Sequence, residues 1–74
     1  MDFRERIECR PDVLLGKPII KGTRISVELI LEKLSQEASI PDLIEAYPHL
    51  TQQDVFAALS YASAALSKEE LLVV

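Results

Sequence analysis

The segment Tyr47-Pro48-His49-Leu50-Thr51 constrains this chain more than any other, because it must end one helix and can begin the next. The residue ahead of a proline is pushed out of the α region, so a helix arriving at Tyr47 stops there. Thr51 is a good N-cap, and Asp54, three residues on, completes a capping box. Upstream, Ile40, Leu43, Ile44 and Tyr47 fall at helical spacing, opened by a second box of Ser39 and Asp42. Pro41 is tolerated there, since the first amides of a helix lack partners anyway. Downstream, Val55, Leu59, Ala62 and Leu66 are the expected buried stripe of a third and longest helix. The two helices and their tight turn form a helix–turn–helix-like pair.

Ser26 can cap an earlier helix, whose core stripe would be Val27, Ile30, Leu31 and Leu34. Residues 6–25 read as extended structure with turns. Arg6-Ile7-Glu8-Cys9 alternates like a short half-buried strand, and Pro11-Asp12 signals a turn. Gly16 and Gly22 bracket Lys17-Pro18-Ile19-Ile20-Lys21, where Pro18 must start a strand or lie at a sheet edge. The expected fold is therefore mainly α, a three-helix bundle with a small N-terminal β element. Residues 1–25 would form the β and turn element, 26–66 the bundle and 67–74 a tail of the same single domain. Ser67-Lys68-Glu69-Glu70 reads as a last cap, and Leu71-Leu72-Val73-Val74 as an apolar end that would pack on a partner.

A chain of 74 residues is short of core. It buries only about 60% of its unfolded surface, and such a core supplies roughly 3–5 kcal/mol. One cysteine, Cys9, excludes an internal disulfide, and Cys9 with His49 makes no metal site. Self-association is the remaining support, so a homodimer or a standing partner is expected. Ala57, Ala58, Tyr61, Ala64 and Ala65 form a second face of the third helix, where small residues would let a partner helix approach. With Leu71 and Leu72, residues Ala57, Ala58 and Tyr61 are the expected dimer or partner contacts. No Ser, Cys or carboxylate is set by spacing to work with His49, so neither an enzyme nor a cofactor is expected. The opening Met1-Asp2-Phe3-Arg4-Glu5-Arg6 is charged, and no apolar run reaches membrane length. A cytoplasmic protein is the expectation.

The net charge of −4 is unevenly spread. Residues 4–24 hold six cations against three anions, whereas residues 39–74 hold one cation against five. Lys17, Lys21 and Arg24 are candidates to grip phosphate, together with Arg4, Arg6 and Arg10. On the third helix, the first turn would meet base edges through Thr51, Gln52, Gln53 and Asp54, then Ala57. That helix has no Lys or Arg, which opposes nucleic-acid binding because phosphate neutralisation dominates affinity. The alternative is a protein–protein interaction module without DNA binding, its acidic half meeting a basic partner. The Gly16–Thr23 stretch lacks the Lys-Ser/Thr pair of a phosphate loop, so nucleotide binding is rejected.

Leu15-Gly16-Lys17-Pro18-Ile19-Ile20-Lys21-Gly22-Thr23-Arg24-Ile25, the Tyr47-Pro48-His49-Leu50-Thr51 turn and the Ala-rich last helix together resemble the bacterial domain-of-unknown-function 433 family. The likeness covers roughly residues 7–66. The family often carries two glycines before the Lys-Pro pair, and here the first is Leu15. The resemblance implies a homeodomain-like helix–turn–helix fold. It also implies kinship with VapB-like antitoxins, which bind operator DNA and a partner toxin nuclease. Only the helix–turn–helix positions 40–66 and the basic Lys17–Arg24 segment are carried over from it.

Overall fold

In a computed structural model that describes residues 2–67, a small hairpin leads into three helices. The elements are β1 (Ile7–Cys9), β2 (Pro18–Ile20), α1 (Val27–Ser35), α2 (Ile40–Ala46) and α3 (Gln52–Leu66), with single 3-10 turns at Phe3–Glu5 and Leu14–Gly16. The strands pair antiparallel in the register Ile7↔Ile20, Glu8↔Ile19 and Cys9↔Pro18. Pro18 thus starts β2, where its missing N–H costs least. Ile7 and Ile20, directly opposite one another, both point into the core.

The hairpin is tied to α1 by its turn chemistry. Gly22 takes φ +75° and donates its N–H to the Glu8 carboxylate at 3.2 Å. The Thr23 hydroxyl donates to the Ile20 carbonyl at 2.8 Å and accepts from Ile25 N–H at 3.0 Å. Ser26 then caps α1 by accepting from Leu29 N–H at 2.9 Å. Val27 and Ile30 are buried and Leu31 and Leu34 half-buried, which is the expected stripe.

Two backbone sites depart from what the residue types favour. Leu14, Leu15 and Gly16 follow one another at φ +48°, +58° and +82°. The Leu15 side chain is 97% exposed. At the end of α1, Glu37 takes φ +71°. Glu37 N–H donates to Leu34 O at 3.1 Å and Ala38 N–H to Lys33 O at 3.2 Å. These are the two bonds of a Schellman cap, with glutamate at the position that usually holds glycine.

Both expected capping boxes form. Ser39 accepts from Asp42 N–H at 3.2 Å while Asp42 accepts from Ser39 N–H at 2.9 Å. Thr51 accepts from Asp54 N–H at 3.1 Å while Asp54 accepts from Thr51 N–H at 3.0 Å. Between them Tyr47 leaves the helix at φ −128°, ψ 85°, and Leu50, 2% exposed, plugs the turn into the core.

The face of α3 differs from the expected one. Val55 is fully buried, but Leu59 is 40% and Leu66 60% exposed. The core face is instead Asp54, Val55, Ala57 and Ala58, with Tyr61 half-buried below. Ala57 and Ala58 have no side chain beyond Cβ, so α3 can lie close against the core, beside α1. The expected last cap over 67–70 and the apolar end from Leu71 to Val74 lie outside the described residues, apart from Ser67, whose N–H donates to the Ser63 carbonyl at 3.0 Å and whose hydroxyl donates to the Ala64 carbonyl at 2.7 Å at the end of α3.

Candidate nucleic-acid interface

The first turn of α3 presents Thr51, Gln52 and Gln53 to solvent. Gln52 and Gln53 take no hydrogen bond from any described residue, so their amides are free to donate and accept. Thr51 Oγ1 already accepts from Asp54 N–H. Asp54 and Ala57, expected to meet base edges, are buried and cannot do so.

Asp54 has a different task. Its side chain is 9% exposed and accepts on both oxygens, Oδ1 from Arg6 Nη1 at 3.1 Å and Oδ2 from Thr51 N–H at 3.0 Å. A carboxylate this deep needs such partners, because an unpaired buried charge is expensive. Arg6 thereby ties the start of β1 to the start of α3. The Arg6 carbonyl also accepts from Lys21 N–H at 2.9 Å. Arg6 thus links the Lys21 backbone to the first turn of α3. Lys21 and Arg24 are exposed and, among the described residues, have no carboxylate partner.

The other cations of the basic segment are engaged. Arg4 pairs with Asp2 at 3.0 Å, Arg10 with Asp12 at 3.4 Å and Lys17 with Glu28 at 2.7 Å. The Lys17 ammonium holds the Glu28 carboxyl below its ordinary range, and Arg4 does the same for Asp2. Lys17 is moreover one strand-length, about 13 Å, from Lys21. It lies beside the far end of α3, with Ala62, Ala65 and Leu66. The basic segment therefore divides: Lys21 is linked through Arg6 to the first turn of α3 and, like Arg24, has no carboxylate partner among the described residues, whereas Lys17 is paired beside the far end of that helix.

The expected contact residues also divide. Ala57 and Ala58 are 0% exposed inside their own core and offer nothing to a second chain. Tyr61 packs edge-on against Phe3 with ring centroids 5.3 Å apart. Leu71 and Leu72 lie outside the described residues. Large apolar side chains do reach solvent on α3, but they are Phe56, Leu59 and Leu66. A second feature that sequence reading missed is an apolar groove of about 430 Å³ beside the end of α3, lined by Val27, Leu31, Tyr61 and Ala65 with the Lys17–Glu28 pair at its edge. Phe56 could have been found from the sequence, since it lies off every core stripe. The Arg6–Asp54 pair could not, because 48 residues separate its partners.

Cys9 lies in β1 as expected of a strand residue, but exposed. Among the described residues no group of three or more His, Cys, Asp or Glu side chains is gathered to hold a metal ion. No helix among them is long and apolar enough to cross a membrane.

Comparison with known proteins assigns the family. Over 61 residues the chain is 33% identical to the uncharacterized protein y4eO of Sinorhizobium fredii (strain NBRC 101917 / NGR234), covering 82% of this chain and 28% of that protein. The crystal structure of a DUF433 member protein from Anabaena variabilis ATCC 29413 superposes with a TM-score of 0.79 at 32% identity, over 85% of this chain and 62% of that one. The chain thus spans little more than a quarter of the curated relative and less than two thirds of the solved one. Residues 7–62, from the first strand well into α3, match the family described as "Protein of unknown function (DUF433)". A match of that extent, on a fold shared with a solved member, makes this chain a member of the DUF433 family.

Proposed function

We propose that this protein is a small, non-enzymatic DNA-binding regulator of the antitoxin type. The observation that carries the reading is the link through Arg6, which accepts from Lys21 N–H and reaches Asp54 in the first turn of α3, where Gln52 and Gln53 are exposed, while Lys21 and Arg24 have no carboxylate partner among the described residues. A helix N-terminus with glutamine amides suits a base edge, since glutamine pairs with adenine through two hydrogen bonds. Lys21 and Arg24, on the adjoining turn, suit the flanking phosphates. Lys17 is left out of this set.

Binding to the upstream region of its own operon, followed by fluorescence anisotropy across a salt series, tests the reading. Affinity should fall with added salt. Replacing Lys21 and Arg24 by Gln should lower the salt slope by about two, near one for each phosphate no longer neutralised. Binding that is absent at low salt, or indifferent to salt, sinks the idea.

A second reading is favoured by a specific observation. The only charge on α3 is Asp54, which is buried, and the helix exposes Phe56, Leu59 and Leu66. That surface suits protein contact better than phosphate. An interaction module would meet a basic partner, such as a toxin nuclease encoded beside it, through acidic residues of the chain's acidic half outside α3, such as the exposed Asp42 and Glu45. Co-purification with the product of the neighbouring gene separates the two, and both activities together fit an antitoxin.

A further inference from the structure

We infer that the outward face of α3 is a docking surface for α3 of a second copy of this chain. Phe56, Leu59, Ser63 and Leu66 recur at intervals of three, four and three residues, the rhythm of a coiled-coil seam. They lie opposite the core face of Asp54, Val55, Ala57 and Ala58, and their large members are exposed by 42% at Phe56, 40% at Leu59 and 60% at Leu66. One helix thus carries two apolar faces, of which the chain's own described residues cover one. The groove beside the end of α3 is not part of this surface, apart from Leu66 at its edge.

The charge pattern selects the occupant. The chain carries twelve acidic and eight basic residues, yet Asp54 alone is charged on α3, and it is turned inward to Arg6. The nine residues of α1, by contrast, include Glu28, Glu32 and Lys33. A two-fold axis brings a surface against its own copy, so any charge near the axis would repel itself. A face cleared of charge meets that condition. A charged protein partner would call for opposite charge on this face, and nucleic acid would call for cations.

In an antiparallel pairing centred between Leu59 and Ser63, Phe56 of one copy lies over Leu66 of the other. The Thr51–Gln53 turns then stand at opposite ends of the seam, with Gln52 one turn beyond Phe56 on the same face. The inference rests on the face of α3 and not on DNA binding, so each can fail without the other.

Sedimentation equilibrium of the whole chain, without DNA, tests it. The wild type should self-associate. L59E and L59K, at an exposed position, should fold normally by circular dichroism and each raise the dimer dissociation constant by roughly 100-fold or more, the scale of like charges forced together. S63E, at another exposed position of the seam, should do the same. An equimolar mixture of L59E and L59K should reassociate, because each meets the opposite charge within a turn of the axis. A wild type that stays monomeric at the highest attainable concentration overturns the inference. So does a dimer that survives all three substitutions, or a mixture no more associated than its components.

Discussion

Leu15 holds a backbone conformation that its side chain opposes. At φ +58° its Cβ crowds the next carbonyl, and the side chain, 97% exposed, gains nothing in return. Leucine in this region costs roughly 1–2 kcal/mol relative to a residue that tolerates it. Glu37, at φ +71° in the cap of α1, is in the same position. Leu15→Asn and Glu37→Asn should therefore each stabilise the protein by about 0.5–1 kcal/mol, asparagine entering the left-handed region more readily without the chain entropy of glycine. Urea unfolding midpoints check this, and a lower midpoint for either variant would show that the strain is absent. Gly16 and Gly22 could be read as turn residues directly. Leu15 and Glu37 could not, since neither residue type advertises a positive φ. The flanking Gly16 turn and the Schellman bonds impose it from outside.

Among the elements, helix starts were the most legible. Ser26, Ser39 and Thr51 all cap as their sequence context implies, because a cap is settled within three residues. The rotation of α3 was not legible. Its sequence offers one apolar set at Val55, Leu59, Ala62 and Leu66 and another at Ala57, Ala58 and Tyr61. Only the fit of small residues against the core and the distant Arg6 clasp choose between them. Local caps also have a pH signature. Backbone and side-chain hydrogen bonds from Ser39 hold the Asp42 carboxyl below its ordinary range, and Lys17 does so for Glu28. Such lowered groups contribute fully above about pH 4, and their contribution fades as pH falls through the lowered values. Thermal midpoints measured from neutral to acid pH should fall, and Asp42→Asn with Glu28→Gln should make that fall shallower. An unchanged acid limb would show that these two carboxylates carry no pH-dependent stability.

For the whole molecule, the balance of charges matters less than where their partners lie. Four of the seven cations between residues 2 and 67 are tied to carboxylates, which leaves Lys21, Arg24 and Lys33 free among the described residues. The excess of positive charge visible in residues 4–24 is therefore mostly neutralised internally. Sequence shows the count but not the pairing. The same holds for burial: a small core and a two-faced α3 were foreseeable, but not which face turns outward. If the outward face closes on a second copy, association and folding are linked. The thermal midpoint should then rise with protein concentration for the wild type and stay fixed for L59E. Superimposable melts of the wild type across a concentration series would contradict this.

The Arg6–Asp54 clasp also limits how this sequence can drift. Asp54 answers two donors at once, the guanidinium and the Thr51 amide. An arginine at 54 could only donate, so exchanging the two residues would preserve the ion pair on paper while orphaning the cap. The two positions are thus unequal in evolution. Position 6 can explore other long donors, lysine first among them, whereas position 54 is confined to a short acceptor for as long as α3 begins at Thr51.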